Sequence, residues 1–223
     1  MRFFQDSQID QAMERTPKQS RSIASTARML DAAEALFAKG GADAVTVDAI
    51  VRQAKTSVGA FYARFADRAG LLAAMHQRFI ERMAVEAQTA VSKAFRQADL
   101  ARAVAAFVKH ALPAARKHRE SILFFVVTSA TESPLRKQGL AANPGFAAAF
   151  AAAVMPFRGE IGHSHPEDAI DVAFRILFAV FLQRALFTPG EATGKPINDA
   201  SLAKEIAHCL VAYLTTPTAP RIQ

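Results

Sequence analysis

The sequence predicts an all-α protein, and three observations carry that expectation. Apolar residues recur at spacings of three and four along most of its length, and no alternating run long enough for a useful strand appears. The composition is 51% hydrophobic and 21% charged, with 10 Gly and 10 Pro scattered among many alanines, which suits a globular, helix-rich chain. The segments are also punctuated as helices are, with Thr46, Ser57 and Asp67 before apolar-periodic runs and Gly40-Gly41 after one. At 223 residues the chain can bury about 70% of its unfolded surface, so a real core is available.

Residues 1–19 are polar, aperiodic and interrupted by Pro17, and are expected to form a mobile arm carrying Arg15 and Lys18. A first helix follows, capped by Ser20 or Ser22, with Ile23, Ala27, Leu30 and Phe37 on one face. Thr46 then caps a short helix whose Val47, Ile50, Val51 and Ala54 share an apolar side, and Asp48 suits its positive start. Only Lys55-Thr56-Ser57 separates it from a third helix, capped by Ser57. There Val58, Phe61 and Phe65 are expected to point inward, Gly59, Ala60, Ala63 and Arg64 outward or edgewise, and Tyr62 to sit at the boundary. Asp67 caps a long fourth helix in which Leu71, Leu72, Met75, Phe79 and Met83 continue an inward face to about Phe95.

Beyond Asp99 the expected helices are Asp99 to about Lys117, Ser121 to Thr131, Pro134 to Phe157 with a break at Asn143-Pro144-Gly145, Pro166 to Phe187, and Asn198 to Leu214. The organisation expected is therefore an arm (1–19), a three-helix unit (20–66), a connecting helix (67–95), a bundle (96–215) and a tail (216–223). The start lacks the sustained apolar run of a secretory signal, and the longest uninterrupted apolar stretches, 145–157 and 121–130, fall short of the roughly 20 residues that span a bilayer. A single cysteine, Cys209, excludes an intrachain disulfide framework and fits a reducing cytoplasm. It is expected to pack in a core or an interface.

The charge is +7, from 27 Lys and Arg against 20 Asp and Glu, with a sequence pI near 9.9. Between Arg15 and Arg68 nine basic residues stand against five acids, a local excess of 9 − 5 = +4, so a polyanionic partner is expected on this part of the chain. Two short helices joined by a tight turn and backed by another helix make a helix-turn-helix, whose second helix enters the DNA major groove. Gly59, Ala60 and Ala63 lack bulk and permit close approach, while Tyr62 and Arg64 reach phosphates or base edges.

The stretch "TVDAIVRQAKTSVGAFYARFADRAGLL" resembles the DNA-binding domain of tetracycline-repressor-like (TetR) regulators. The match rests on the Thr opening the second helix, the Ser before the recognition helix, the neighbouring Gly, the Phe-Tyr-x-x-Phe run and the basic residue three beyond. It covers about Ser20 to Leu72. It implies DNA contacts at Thr46, Ser57, Gly59, Tyr62, Arg64 and Arg68, with Ala60 beside them on the approach face. Two departures stand out: Lys55 replaces the usual turn glycine, so it adopts a left-handed conformation or the turn differs, and Arg68 replaces the commoner lysine.

The resemblance further implies an effector-binding and dimerisation domain beyond about residue 80, hence double-stranded operator DNA, palindromic by dimer symmetry, a small hydrophobic effector and a second copy of the chain as partners. Phe107, Phe124, Phe125, Phe146, Phe150, Phe174 and Phe178 are the candidate pocket residues, since an apolar pocket with few polar groups suits a small ligand. The helix from Pro166 is apolar around most of its circumference, with Ala169, Val172, Ala173, Ile176, Val180 and Leu186 as burial candidates, one face being available to a partner subunit. No cofactor is expected. His163, His165, Glu167 and Asp168 make too incomplete a set for a metal, and His110 and His118 read as surface or pocket-edge groups. No acid/base pair, nucleophile elbow or phosphate loop supports an enzyme, so repression relieved by an effector is the leading expectation. A helical enzyme and a non-specific DNA-binding protein are the rivals.

Overall fold

The computed structural model describes residues 17–131, 133–188 and 190–217. All regular structure among them is helical, as the periodicity predicts. The helices are α1 (Pro17–Gly40), α2 (Val47–Gln53), α3 (Val58–Phe65), α4 (Arg68–Phe95), α5 (Leu100–Lys117), α6 (Arg119–Thr131), α7 (Ser133–Val154), α8 (Pro166–Leu186) and α9 (Asp199–Thr215). Short 3-10 turns occupy Ala42–Ala44 and Met155–Glu160. The chain divides into two compact units between Met75 and His76, inside α4, rather than at that helix's ends.

In the first unit α1 begins earlier than expected, at Pro17, so the arm ends by residue 16 and Ser20 and Ser22 lie inside the helix. The rest of the arm and residues 218–223 of the tail lie outside the described residues. Its buried face is Met29, Ala32 and Ala33, whereas Ile23 is exposed and Leu30 and Phe37 are only half-buried. The larger residues suggested a face rotated by about one residue; small alanines allow closer helix packing and take the core positions. Ile50, Val51, Ala54, Phe61, Phe65, Leu71, Leu72 and Met75 complete this core. Burying them gives α2 and α3 the tertiary support that helices of 7 and 8 residues need. Val58 departs from expectation: it is 43% exposed, because Phe61 and Phe65 on the following turns fill the inward face.

The α2–α3 turn resolves the question at Lys55, which adopts φ 51°, the left-handed region. Its amide bonds the Arg52 carbonyl at 3.3 Å and Thr56 N–H closes on Val51 at 2.9 Å. A side chain here costs energy that glycine avoids. Lys55→Gly is expected to stabilise the protein by about 0.5–1 kcal/mol, the relief being partly offset by glycine's greater freedom when unfolded. Denaturant titrations check this; a Lys55→Gly midpoint at or below that of the parent contradicts it.

The second unit is a bundle in which α9 packs most extensively on α5, and α8 on both. Leu100, Val104, Phe107, Val108, Leu112, Phe150, Ile170, Leu177, Leu210 and Leu214 dominate its core. α7 runs unbroken through Asn143-Pro144-Gly145. Proline removes the bond to the Leu140 carbonyl, but that turn is on the surface, with Leu140 56% exposed, so water can satisfy the freed oxygen. With its 3-10 extension the segment Pro134–Glu160 is long and apolar enough by length and composition to cross a bilayer, which the uninterrupted runs alone were not. Arg184, hidden in the apolar α8, is 4% exposed and grips Asp199 at 2.6 Å and the Ile197 carbonyl at 2.9 Å, clamping the α8–α9 loop.

Candidate functional site

The recognition-helix face starts from two caps. Thr46 Oγ1 accepts the Ala49 amide at 3.3 Å and Ser57 Oγ accepts the Ala60 amide at 3.1 Å. Capping uses only oxygen lone pairs, so each exposed hydroxyl keeps its hydrogen to donate to a phosphate. Phe61, fully buried, and Phe65 hold α3 against the core, and Tyr62 stands edge-on to Phe61 at 5.4 Å with half its surface exposed. Gly59, Ala63 and Arg64 are exposed as well, and Ala60 is half-buried. By helical period Gly59 and Ala63 lie opposite Phe61 and Phe65, with Tyr62 and Arg64 exposed on the two flanks of that open face and Ser57 at its start.

Arg68 opens α4, where Asp67 Oδ1 accepts the Gly70 amide at 2.7 Å. Its side chain lines a shallow depression together with Thr46, Asp43 and Ile50, so the structure brings Arg68 and Thr46 together, at the start of α2. Two features escaped sequence reading. Arg28 Nε donates to the Ala54 carbonyl at 3.2 Å, so that basic residue braces the end of α2. Gly70 packs so closely that a Cβ would fall 1.9 Å from the Phe65 carbonyl oxygen.

In the second unit a cavity of about 670 Å³ is lined by apolar groups from α4, α5, α6, α7 and α8. Phe107, Phe125, Phe146, Phe174 and Phe178 line it; Phe124 and Phe150 do not. Phe150 is fully buried in the core, its ring 5.2 Å from Phe107, and Phe124 packs edge-on against Phe125 at 5.0 Å. Helical spacing alone did not separate core rings from lining rings, nor did it find Phe79, Phe181 and Met83, which also face the cavity.

Polar groups enter at His76, Glu86, Arg136 and Asn143. Glu86 pairs with Lys117 at 2.6 Å and faces His110 at 3.3 Å and His118 at 3.5 Å, and the Lys117 bond holds its carboxyl below the ordinary range. His76 is 5% exposed and stacks on Phe125 at 4.4 Å. Burial lowers its imidazole below the usual 6.5, against an opposing hydrogen bond to Gln138. As pH falls the unfolded chain therefore takes this proton first, so the His76 contribution is complete above about 6.5 and declines below it. Stability should drop between pH 7.5 and 5.5, less so in His76→Phe; equal drops in denaturant titrations contradict this.

The His163–His165 segment has His163 Nδ1 accepting the His165 amide at 3.1 Å, and among the described residues no three His, Cys, Asp or Glu side chains converge as a metal set. Cys209 is exposed in the single chain rather than packed in its core. On α8, Ala169 and Ala173 are buried and Val180 is half-buried, while Val172 and Ile176 are each 39% exposed and Leu186 is 38% exposed.

Residues 29–75 match the family model described as bacterial regulatory proteins, tetR family. No curated protein matches the chain. Among solved structures, a putative TetR-family transcriptional regulator from Mesorhizobium loti is 16% identical, with a TM-score of 0.70 over 87% of this chain and 96% of that one. GusR from Salmonella enterica is 18% identical, with a TM-score of 0.66 over 90% and 98%. RolR in complex with resorcinol is 19% identical, with a TM-score of 0.51 over 92% and 99%.

Proposed function

We propose that the chain, whose residues 29–75 match the tetR family model and whose fold is all-α, is a TetR-family regulator: a homodimeric, sequence-specific repressor released from its operator by a small hydrophobic effector. The observation that carries this reading is the open α3 face, with Tyr62 and Arg64 exposed on a helix whose Phe61 and Phe65 are locked in the core. Such a face carries a donor set suited to phosphates and base edges. Thr46, Ser57 and Arg68 add phosphate contacts around it, and Gly59 and Ala60 permit close approach.

Dimerisation is supported by Val172 and Ile176, exposed one turn apart on α8, and by exposed Cys209 and Ala212 on α9, which packs beside it. Two helices from each copy would make a four-helix interface, and the operator would be palindromic with half-sites about 34–36 Å apart or at another whole-turn spacing. The cavity supports the effector: apolar, aromatic and of a size suited to a small molecule. RolR, of the same fold, holds resorcinol. α4 begins at Arg68 and from His76 onward lines the cavity, so a ligand that displaces it alters the recognition helices, and a tenfold preference for the DNA-free state weakens the operator tenfold. The site of action is the cytoplasm, where the genome lies. Light scattering at micromolar concentration should give the mass of a dimer, and hydrophobic compounds that raise the melting midpoint should weaken operator binding. A strictly monomeric mass, or stabilising ligands without effect on DNA, would contradict the corresponding part.

A further inference from the structure

A directional chain of hydrogen bonds sets the state of the one imidazole buried against the cavity. Glu81 presents a carboxylate oxygen, which only accepts, 3.0 Å from Gln77 Nε2. That orients the Gln77 amide so that its oxygen accepts Gln138 Nε2–H at 3.0 Å. Gln138 is oriented in turn, its Oε1 lying 3.2 Å from His76 Nδ1. An amide oxygen needs a hydrogen there, so Nδ1 of His76 carries the proton and Nε2 of the neutral ring is left with a bare lone pair. Phe125 stacked at 4.4 Å and Phe79 stacked on Phe125 at 5.4 Å prevent the ring from turning away.

His76 lines the cavity although it is 5% exposed, and among the described residues Nε2 has no hydrogen-bond partner. An acceptor fixed on a mostly apolar wall, whose other polar groups are Glu86, Arg136 and Asn143, selects a ligand at this point by what the ligand donates. We propose that the effector is an apolar, ring-bearing molecule with a hydroxyl of the phenol or alcohol class, and that His76 Nε2 accepts its hydrogen. This rests on the reading that the cavity is the effector site. A carboxylate offers this lone pair no hydrogen and adds like-signed electron density, so fatty and aromatic acids are disfavoured at this point. The acceptor lies on α4, the helix that begins at Arg68, a proposed phosphate contact.

Gly139 provides a substitution aimed at the lone pair. A Cβ there would lie 3.7 Å from Nε2 and 3.4 Å from Cε1, ordinary contact distances, so Gly139→Ala should fold while its methyl covers the acceptor. Replacing a helix-interior glycine by alanine also favours the helix.

The test compares β-naphthol, β-methylnaphthalene and β-naphthoate by calorimetric titration of the full chain, its His76→Phe variant and its Gly139→Ala variant. The parent should bind β-naphthol about tenfold more tightly than β-methylnaphthalene, and both variants should lose that preference while still binding the hydrocarbon. With ¹⁵N-labelled histidine, His76 should show the Nδ1–H tautomer, and its Nε2 resonance should move on adding β-naphthol. Equal affinities for naphthol and hydrocarbon, a preference that survives both substitutions, tightest binding of naphthoate, or an Nε2–H tautomer overturns the proposal while leaving the cavity as an effector site. Failure of all three probes to bind the parent overturns the cavity reading and this proposal together.

Discussion

Arg64→Ala should weaken operator binding by about 1–3 kcal/mol per half-site, or about 2–6 kcal/mol for a dimer, and relax base preference at one position of each half-site. Arg64 is exposed at the last turn of α3, on the flank opposite Tyr62, where a guanidinium can pair with guanine O6 and N7. Arg68 carries the same charge into a different place. It begins α4 beside the Asp67 cap, close to Thr46, where free backbone amides and the helix dipole favour an anion. In the proposed dimer Arg68→Ala would remove two phosphate contacts, so the salt slope should fall in magnitude by about 1.8 with base preferences unchanged. Salt titrations and a base-substitution series on one operator separate the two roles. An unchanged slope for Arg68→Ala refutes its phosphate contact, and unchanged preferences for Arg64→Ala refute base reading in favour of a phosphate contact.

Gly70→Ala should destabilise the first unit by about 2–4 kcal/mol, the scale of a backbone clash that its surroundings cannot absorb. The link from α3 to α4 is Ala66-Asp67 alone, with Ala66 at φ 59° and the Asp67 amide closing on the Phe65 carbonyl at 2.6 Å. That closure aims the Phe65 oxygen at Gly70, where a methyl carbon would be 1.9 Å away. Backbone must move, and the pieces that move are the end of the recognition helix and the Asp67 cap. Operator affinity should therefore fall even at temperatures where Gly70→Ala remains folded. Circular dichroism melts of parent and variant check the stability; coincident midpoints would contradict the close packing.

Much of this was legible in the sequence because short, capped helices declare themselves locally. Thr46, Ser57 and Asp67 stand as caps where their types and spacing place them, and Phe61 and Phe65 pack where a helical period puts them. What escaped depends on contacts between distant residues. Val58 looked like core by its type, yet is 43% exposed. Phe150 and Phe174 share a helical-aromatic signature, but only the packing of α5, α7 and α8 makes one a core ring and the other a cavity wall. The amide relay to His76 joins α4 to α7 across 62 residues of chain, and no local pattern encodes it. Lys55 is the intermediate case: two backbone conformations suit such a turn, and the structure adopts the left-handed one.

The most direct test of sequence-specific recognition is selection of bound duplexes from random DNA by the purified full-length protein, followed by competition of the enriched duplex against unselected DNA. A palindrome should emerge with half-site centres about 34–36 Å apart, or at another whole-turn spacing, and should be preferred by a factor of about 1,000 or more at physiological salt. No enriched sequence, or equal affinity for selected and unselected duplexes, would contradict it and leave a protein that binds DNA through charge alone.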